Sequence, residues 1–395
     1  MRIRDITATT LRFEYPPASQ FDFAGGRCNA RLTTLIRVDT DEGLSGLGSV
    51  YSHPELVRLI VEGQLRPLLI GQDALDTESL WQRAYSVTRW YGRKGVAVST
   101  LGGIDTALWD IRGKAVQKPI CQLLGAPRPR VPAYASGLLW KPDPALLAEE
   151  AQRHLARGFR AMKMRLARSY AYDSAALRAV RDAIGPANRL MIDGNARYPF
   201  EQAVRLAPEF QEAGIFWLEE PFLPENPDDF RRLRPYLNGI PLAAGENEFG
   251  FQGFRELTDG NVVDIVQPDV CRCGGITESL RVAKLAADHH LRVAPHTWSD
   301  AIALVANMHV VASQPHAITV EMDQTGNPFI EDLLTEPLRV VDGELLVPTR
   351  PGLGIELNED TVAKYRLAPG ELPDSNYSDM MFGASYYTPA GAYQS

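Results

Sequence analysis

Between residues 131 and 321 the chain alternates short apolar runs that read as strands with longer segments that read as helices. The runs are Val131–Ser136, Ala161–Leu166, Leu190–Asp193, Phe216–Glu219, Leu242–Ala244, Val263–Gln267, Arg292–Ala294 and Ile318–Glu321. Helical segments such as PALLAEEAQRHLARG and TESLRVAKLAADHH separate them. Strands joined through helices run parallel, because a crossover is needed to bring the chain back to the same end. Eight such units in about 190 residues argue for a closed barrel rather than an open doubly wound sheet. No glycine-rich phosphate-binding turn follows the first run, which weakens a dinucleotide-binding reading further.

Three acidic residues sit at or just past the ends of consecutive strands: Asp193 in LMIDGN, Glu219 in FWLEEP and Glu246 in AAGEN. Their spacing matches one strand–helix repeat, so a barrel brings all three to its C-terminal face, where catalysis sits in this architecture. Converging carboxylates repel one another and stay ionised cheaply only around a cation. Oxygen ligands without thiolate or imidazole favour Mg²⁺ over Zn²⁺. Glu220, beside Glu219, reads as a neighbouring partner rather than a ligand.

The same face collects further chemistry. Strand two carries Lys163 and Arg165, which alternation points to one side. Strand six leads to Asp269, strand seven to His296 and strand eight to Glu321. Such a ring suits removal of a proton next to a carboxylate. That proton is weakly acidic, because ionisation adds a second negative charge to the same group. A divalent metal stabilises the resulting enediolate. A histidine oriented by an aspartate is a fitting base near neutral pH.

The rest of the chain sets the context. Residues 1 to about 50 read as strands and 54 to 118 as helices, with Ile104, Leu108, Ile111 and Ala115 on one helical face. The Pro-rich run 125–132 is the best boundary. The expected domains are a capping domain at 1–128, a catalytic barrel at 129–345 and a segment at 346–395 that returns to the cap. A net charge of −8 gives no support for nucleic-acid or membrane-surface binding. The start of the chain lacks a signal-peptide core, and no apolar run is long enough to span a membrane. Cys28, Cys121, Cys271 and Cys273 read as reduced thiols, so a cytoplasmic location is expected.

Taken together, GIDTALWDIRGKAVQKPICQLLGA, IDGN, EEP, GEN, PDVCRCGG, the histidine after strand seven and the closing PGLG resemble the enolase superfamily, in its mandelate racemase-like subgroup. The resemblance implies an α+β capping domain built from both chain ends over a (β/α)7β barrel. It implies one Mg²⁺ on Asp193, Glu219 and Glu246, and a His296–Asp269 dyad as base. It also implies Glu321 near the substrate carboxylate, Asn195 near a substrate hydroxyl, and a homo-oligomer. Many members of the subgroup carry Lys-x-Lys on strand two, where this chain has Lys163-Met164-Arg165. A guanidinium is a poor base, so a one-base reaction is expected: His296 removes the α-proton and returns it to a departing β-hydroxyl. Lys163 and Arg165 then hold anionic oxygen. The leading expectation is an acid-sugar dehydratase acting on a small carboxylate. A cycloisomerase of a sugar lactone or anhydro acid, a racemase or epimerase, and a noncatalytic barrel are the alternatives. Substrate choice falls to cap loops at about 15–28, 49–53 and 90–93, with Tyr51 and His53 as candidate contacts.

Overall fold

The computed structural model describes residues 1–125, 127–371 and 380–381. The N-terminal part opens with an antiparallel sheet of Ile3–Glu14, Ala30–Thr40 and Ser45–Val50, with Ala30–Thr40 in the middle. Helices follow, including Thr77–Thr88, whose N-terminus is capped by Asp76 accepting from the Ser79 amide at 3.3 Å. The long helix Val96–Ala115 lies between this sheet and the rest of the molecule. Ile104, Leu108 and Ile111 enter the cap core as the periodicity predicts, while Ala115 is only half-buried. The same helix is also buried on the barrel side. There Asp105 accepts from the Thr277 amide at 2.8 Å, and the Trp109 indole donates to the Thr277 hydroxyl at 2.8 Å. Gly46 lets the sheet approach this helix: a Cβ there would meet the Ala107 carbonyl oxygen at 1.9 Å.

The second part is a closed barrel. Its strands are Arg130–Ser136, Ala161–Arg165, Arg189–Asp193, Leu218–Glu219, Leu242–Ala244, Ile265–Val266, Arg292–Val293 and Val320–Asp323, numbered one to eight below. Parallel pairing joins strands one through seven in sequence, and strand eight pairs with strand one to close the ring. Ile318 N donates to Val293 O at 2.8 Å and completes the seam between seven and eight. The fold is therefore an α+β cap on a (β/α)7β barrel.

The two-residue period of a strand sorts the side chains. Met162, Met164, Leu190, Ile192, Leu218, Leu242 and Val266 face the surrounding helices and join the large apolar core. Tyr134, Met191, Trp217, Ala243, Ile265 and Ala294 face inward and form an apolar floor. Two positions further along strands one, three, four and seven stand Ser136, Asp193, Glu219 and His296. Each buried aliphatic or aromatic side chain contributes about 1.5–3 kcal/mol, so the floor holds these polar groups on a rigid base.

The chain after the barrel returns to the cap. Leu367 N donates to Thr10 O at 2.9 Å, and the Tyr365 ring packs edge-on against Phe13 and Phe329. Met380–Met381 pairs with the strand Gly26–Cys28. The expectation for the rest of the Tyr- and Ser-rich tail lies outside the described residues. No helix among the described residues is long and apolar enough to cross a membrane. All four cysteines are buried.

Candidate active site

Asp193 and Glu219 end strands three and four and face each other across the parallel register. Glu246 follows strand five after Gly245, whose φ of 133° suits glycine and turns the chain toward the barrel axis. One ligand oxygen from each of the three lies within 4.8 Å of the others. Burial pushes the Glu219 carboxyl up to about 8, and Asp193 and Glu246 add to this against the opposing Lys163. Burial also raises Asp193. Glu246 ends below its ordinary value: burial opposes the charge, but His296 and Lys163 outweigh it. Concentrated, buried, all-oxygen negative charge is the environment a hard divalent cation fits.

Lys163 and Arg165 project into the same space. The Lys163 ammonium lies 3.0 Å from Glu321 and 3.4 Å from Asp193, and it donates to Glu219. Burial opposes its charge, yet Glu219 and Glu321 hold its pKa well above the usual value, so it remains an ammonium. Arg165 donates to the Ser136 hydroxyl at 2.8 Å and stands 3.7 Å from Asp193 and 3.6 Å from Glu321. Burial weakens its charge less than Asp193 and Glu321 strengthen it. Both groups therefore keep their protons beside these carboxylates.

His296 is 3% exposed. Its Nδ1 donates to Asp269 at 2.7 Å, which leaves Nε2 facing the carboxylates of Glu246 and Glu321. Nε2 is 3.8 Å from Glu246 and 3.9 Å from Glu321. Burial opposes the imidazolium, but Glu246, Glu321 and Asp269 win and raise the pKa from 6.5 to about 9. Asp269 itself is held by the Cys271 amide at 3.0 Å. Glu321 accepts from the Thr297 amide at 3.0 Å and from Ser136. Despite its burial, Lys163, His296 and Arg165 keep it well below the usual carboxylate range.

A cavity of about 400 Å³ opens above these groups. Arg165, Asn195, Glu246 and His296 line it, as does Tyr51 from the cap. Asn195 has φ 42° and donates to Asp193 at 3.2 Å. His53 is not among the lining residues; it precedes the helix Pro54–Ile60. The cap loop at 15–28 contributes Phe23 and Gly25. The predicted lid at 90–93 does not line the cavity: Trp90 is 80% exposed, and Gly95 takes the lining position instead. Glu248 is buried and pairs with Lys94 at 2.7 Å.

Sequence reasoning missed four contributors. Trp298 lines the cavity, and the Arg165 guanidinium stacks on its ring at 4.2 Å. Its position two residues after His296 was the available signal. Ser136, at the end of strand one, was read only as a strand end. Arg272 and Asn247 form a relay in the wall: Arg272 donates to Asn247 at 3.0 Å, and Asn247 donates to Glu220 at 2.9 Å. The other Glu220 oxygen is buried and accepts no hydrogen bond among the described residues.

Comparisons with known proteins match both parts of the fold. Residues 146–361 match the family model described as enolase C-terminal domain-like. Residues 6–125 match the mandelate racemase / muconate lactonizing enzyme N-terminal domain. D-galactarolactone cycloisomerase of Agrobacterium fabrum is 36% identical, over 92% of this chain and 99% of its own. Arabinonate dehydratase of Saccharolobus solfataricus is 33% identical, over 83% of this chain and 89% of its own. A solved racemase from Streptomyces coelicolor with bound magnesium superposes with a TM-score of 0.86 at 29% identity, covering 92% of this chain and all of that one.

Proposed function

The chain belongs to the mandelate racemase / muconate lactonizing enzyme family of the enolase superfamily, and on that premise we propose that it is a Mg²⁺-dependent acid-sugar dehydratase. The observation that carries this reading is the single His296–Asp269 dyad, set 3.8 Å from a carboxylate of the acidic triad and accompanied by a cation that cannot serve as a second base. Asp193, Glu219 and Glu246 hold the metal, which when bound draws off charge from the substrate carboxylate as its α-proton leaves.

His296 Nε2 takes the α-proton, and Asp269 stabilises the imidazolium. Lys163 and Arg165 neutralise the carboxylate oxygens. The imidazolium then returns its proton to the β-oxygen. The Cβ–O bond breaks, water departs and the enol becomes a 2-keto-3-deoxy acid. Because one histidine serves both steps, the α-hydrogen and the β-hydroxyl leave from the same face. Asn195 and Tyr51 contact the hydroxylated part of the substrate. Racemisation needs a competent base on each face, and Arg165 supplies none.

The match to D-galactarolactone cycloisomerase favours a second reading on the same site. There the departing β-oxygen belongs to the substrate's own ring, so it remains attached and no water is lost. A screen of aldonates, aldarates and their lactones with Mg²⁺, read by mass spectrometry and by NMR in D₂O, separates the two. Dehydration gives a keto acid lighter by one water. Cycloisomerisation gives a keto acid of unchanged mass. Deuterium entering C2 with no keto acid would replace both with epimerisation, and silence throughout would sink the proposal.

A further inference from the structure

Arg165 is weakly tied by its ion pairs, which are 3.6 Å and longer. Among the described residues, its short side-chain hydrogen bond is to the Ser136 hydroxyl at 2.8 Å. The Trp298 ring supplies the remaining support: the Arg165 guanidinium carbon lies 4.2 Å from its centroid. A second guanidinium stacks on the same ring. Arg31, from the middle strand of the cap sheet, also lies 4.2 Å from the Trp298 centroid. Arg31 is fully buried and locked in place. It donates to Asp323 at 2.6 Å at the end of strand eight, to Thr325 at 2.8 Å just past it, and to the Tyr15 hydroxyl at 3.2 Å. Phe23, which lines the cavity, packs against the indole at 6.4 Å.

One indole thus receives cap residues and the site arginine together. An indole face attracts a guanidinium electrostatically and, being flat, restricts its orientation. A buried ion pair on Arg31 makes the cap side rigid. Trp298 is itself almost wholly buried, and so are both arginines that stack on it.

We propose that Trp298 is a positioning residue: backed by Arg31, it aims the Arg165 guanidinium at the anionic oxygen of a bound carboxylate. The inference rests on the reading of the cavity as a carboxylate site, not on which oxygen the substrate loses.

The test is a double-mutant cycle on ligand binding, which needs no turnover. Oxalate, a planar dianion resembling a deprotonated α-hydroxy acid, is titrated calorimetrically into the Mg²⁺-loaded wild type, Trp298→Leu, Arg165→Met and the double variant. Trp298→Leu is expected to weaken oxalate by about tenfold when Arg165 is present, and to have no effect in the Arg165→Met background. Equal weakening in both backgrounds, or none in either, overturns the proposal. Trp298→Phe keeps an aromatic face and is expected to bind within about threefold of wild type. If Trp298→Leu does not fold, Trp298→Phe and Arg31→Met are run through the same cycle. An Arg31→Met loss that persists without Arg165 then counts against the proposal. Should the cycle succeed while no sugar acid is converted, the dehydratase reading fails and the positioning role stands.

Discussion

Without Mg²⁺, this protein is expected to become progressively less stable as pH rises through neutrality. His296 is raised from 6.5 to about 9 by the carboxylates around it. Between those values the folded state holds a proton that the unfolded chain has released. Its contribution to stability is complete below pH 6.5 and is lost as pH approaches about 9. Glu219 is raised from 4.5 to about 8 by burial and its acidic neighbours. Between those values the folded state again holds the extra proton, so stability again falls with pH. One proton of difference corresponds to about 1.4 kcal/mol per pH unit. The windows overlap from pH 6.5 to about 8, where the two groups together give a fall of about 1–3 kcal/mol per pH unit. A divalent cation offsets the charge on the triad, so Mg²⁺ lowers both pKa values and flattens the dependence. Mg²⁺ binding also releases protons in this range and strengthens as pH rises. Urea unfolding at several pH values between 6.5 and 8, with EDTA or with saturating Mg²⁺, measures the effect. A metal-free stability that is level or rises across that window, or a Mg²⁺ increment independent of pH, would refute the electrostatic argument. The His296 ring resonances supply a direct check, titrating near pH 9 without Mg²⁺ and well below it with Mg²⁺.

His296→Asn should lower turnover and α-proton exchange by at least about 100-fold, while calorimetry finds Mg²⁺ affinity nearly unchanged; a mild loss would remove His296 as the base. Glu219→Gln should weaken Mg²⁺ by more than about 100-fold, the upper end for loss of a mere outer-shell partner, as read by calorimetric titration. Asp269→Asn should lower the His296 pKa in an NMR titration and reduce turnover, because imidazolium loses its partner at 2.7 Å. Gly46→Ala should cost about 2 kcal/mol or more in urea unfolding, because its methyl would meet the Ala107 carbonyl at 1.9 Å.

What the sequence determined by itself is the frame and the anchors. Local periodicity specifies strands and helices, and a side-chain period of two decides which residues face inward. Asp193, Glu219, Lys163, Arg165 and Glu321 were legible for that reason: each lies on a strand whose register carries it to the axis. Asp269 and His296 come only a few residues past strand ends, so the same frame reached them. The tertiary structure alone decided what no local rule encodes. His53 ends a predicted substrate loop yet stays off the cavity lining, and Trp90 points to solvent where a lid was expected, because the course of a loop depends on what it packs against. Arg272, Asn247 and Glu220 form one wall only once the segments after three barrel strands meet. Arg31 reaches Trp298 across 267 residues of chain, through a cap whose docking on the barrel is set by shape and buried area. Contacts between distant segments depend on packing, and packing has no signature in the spacing of residues along one strand or helix.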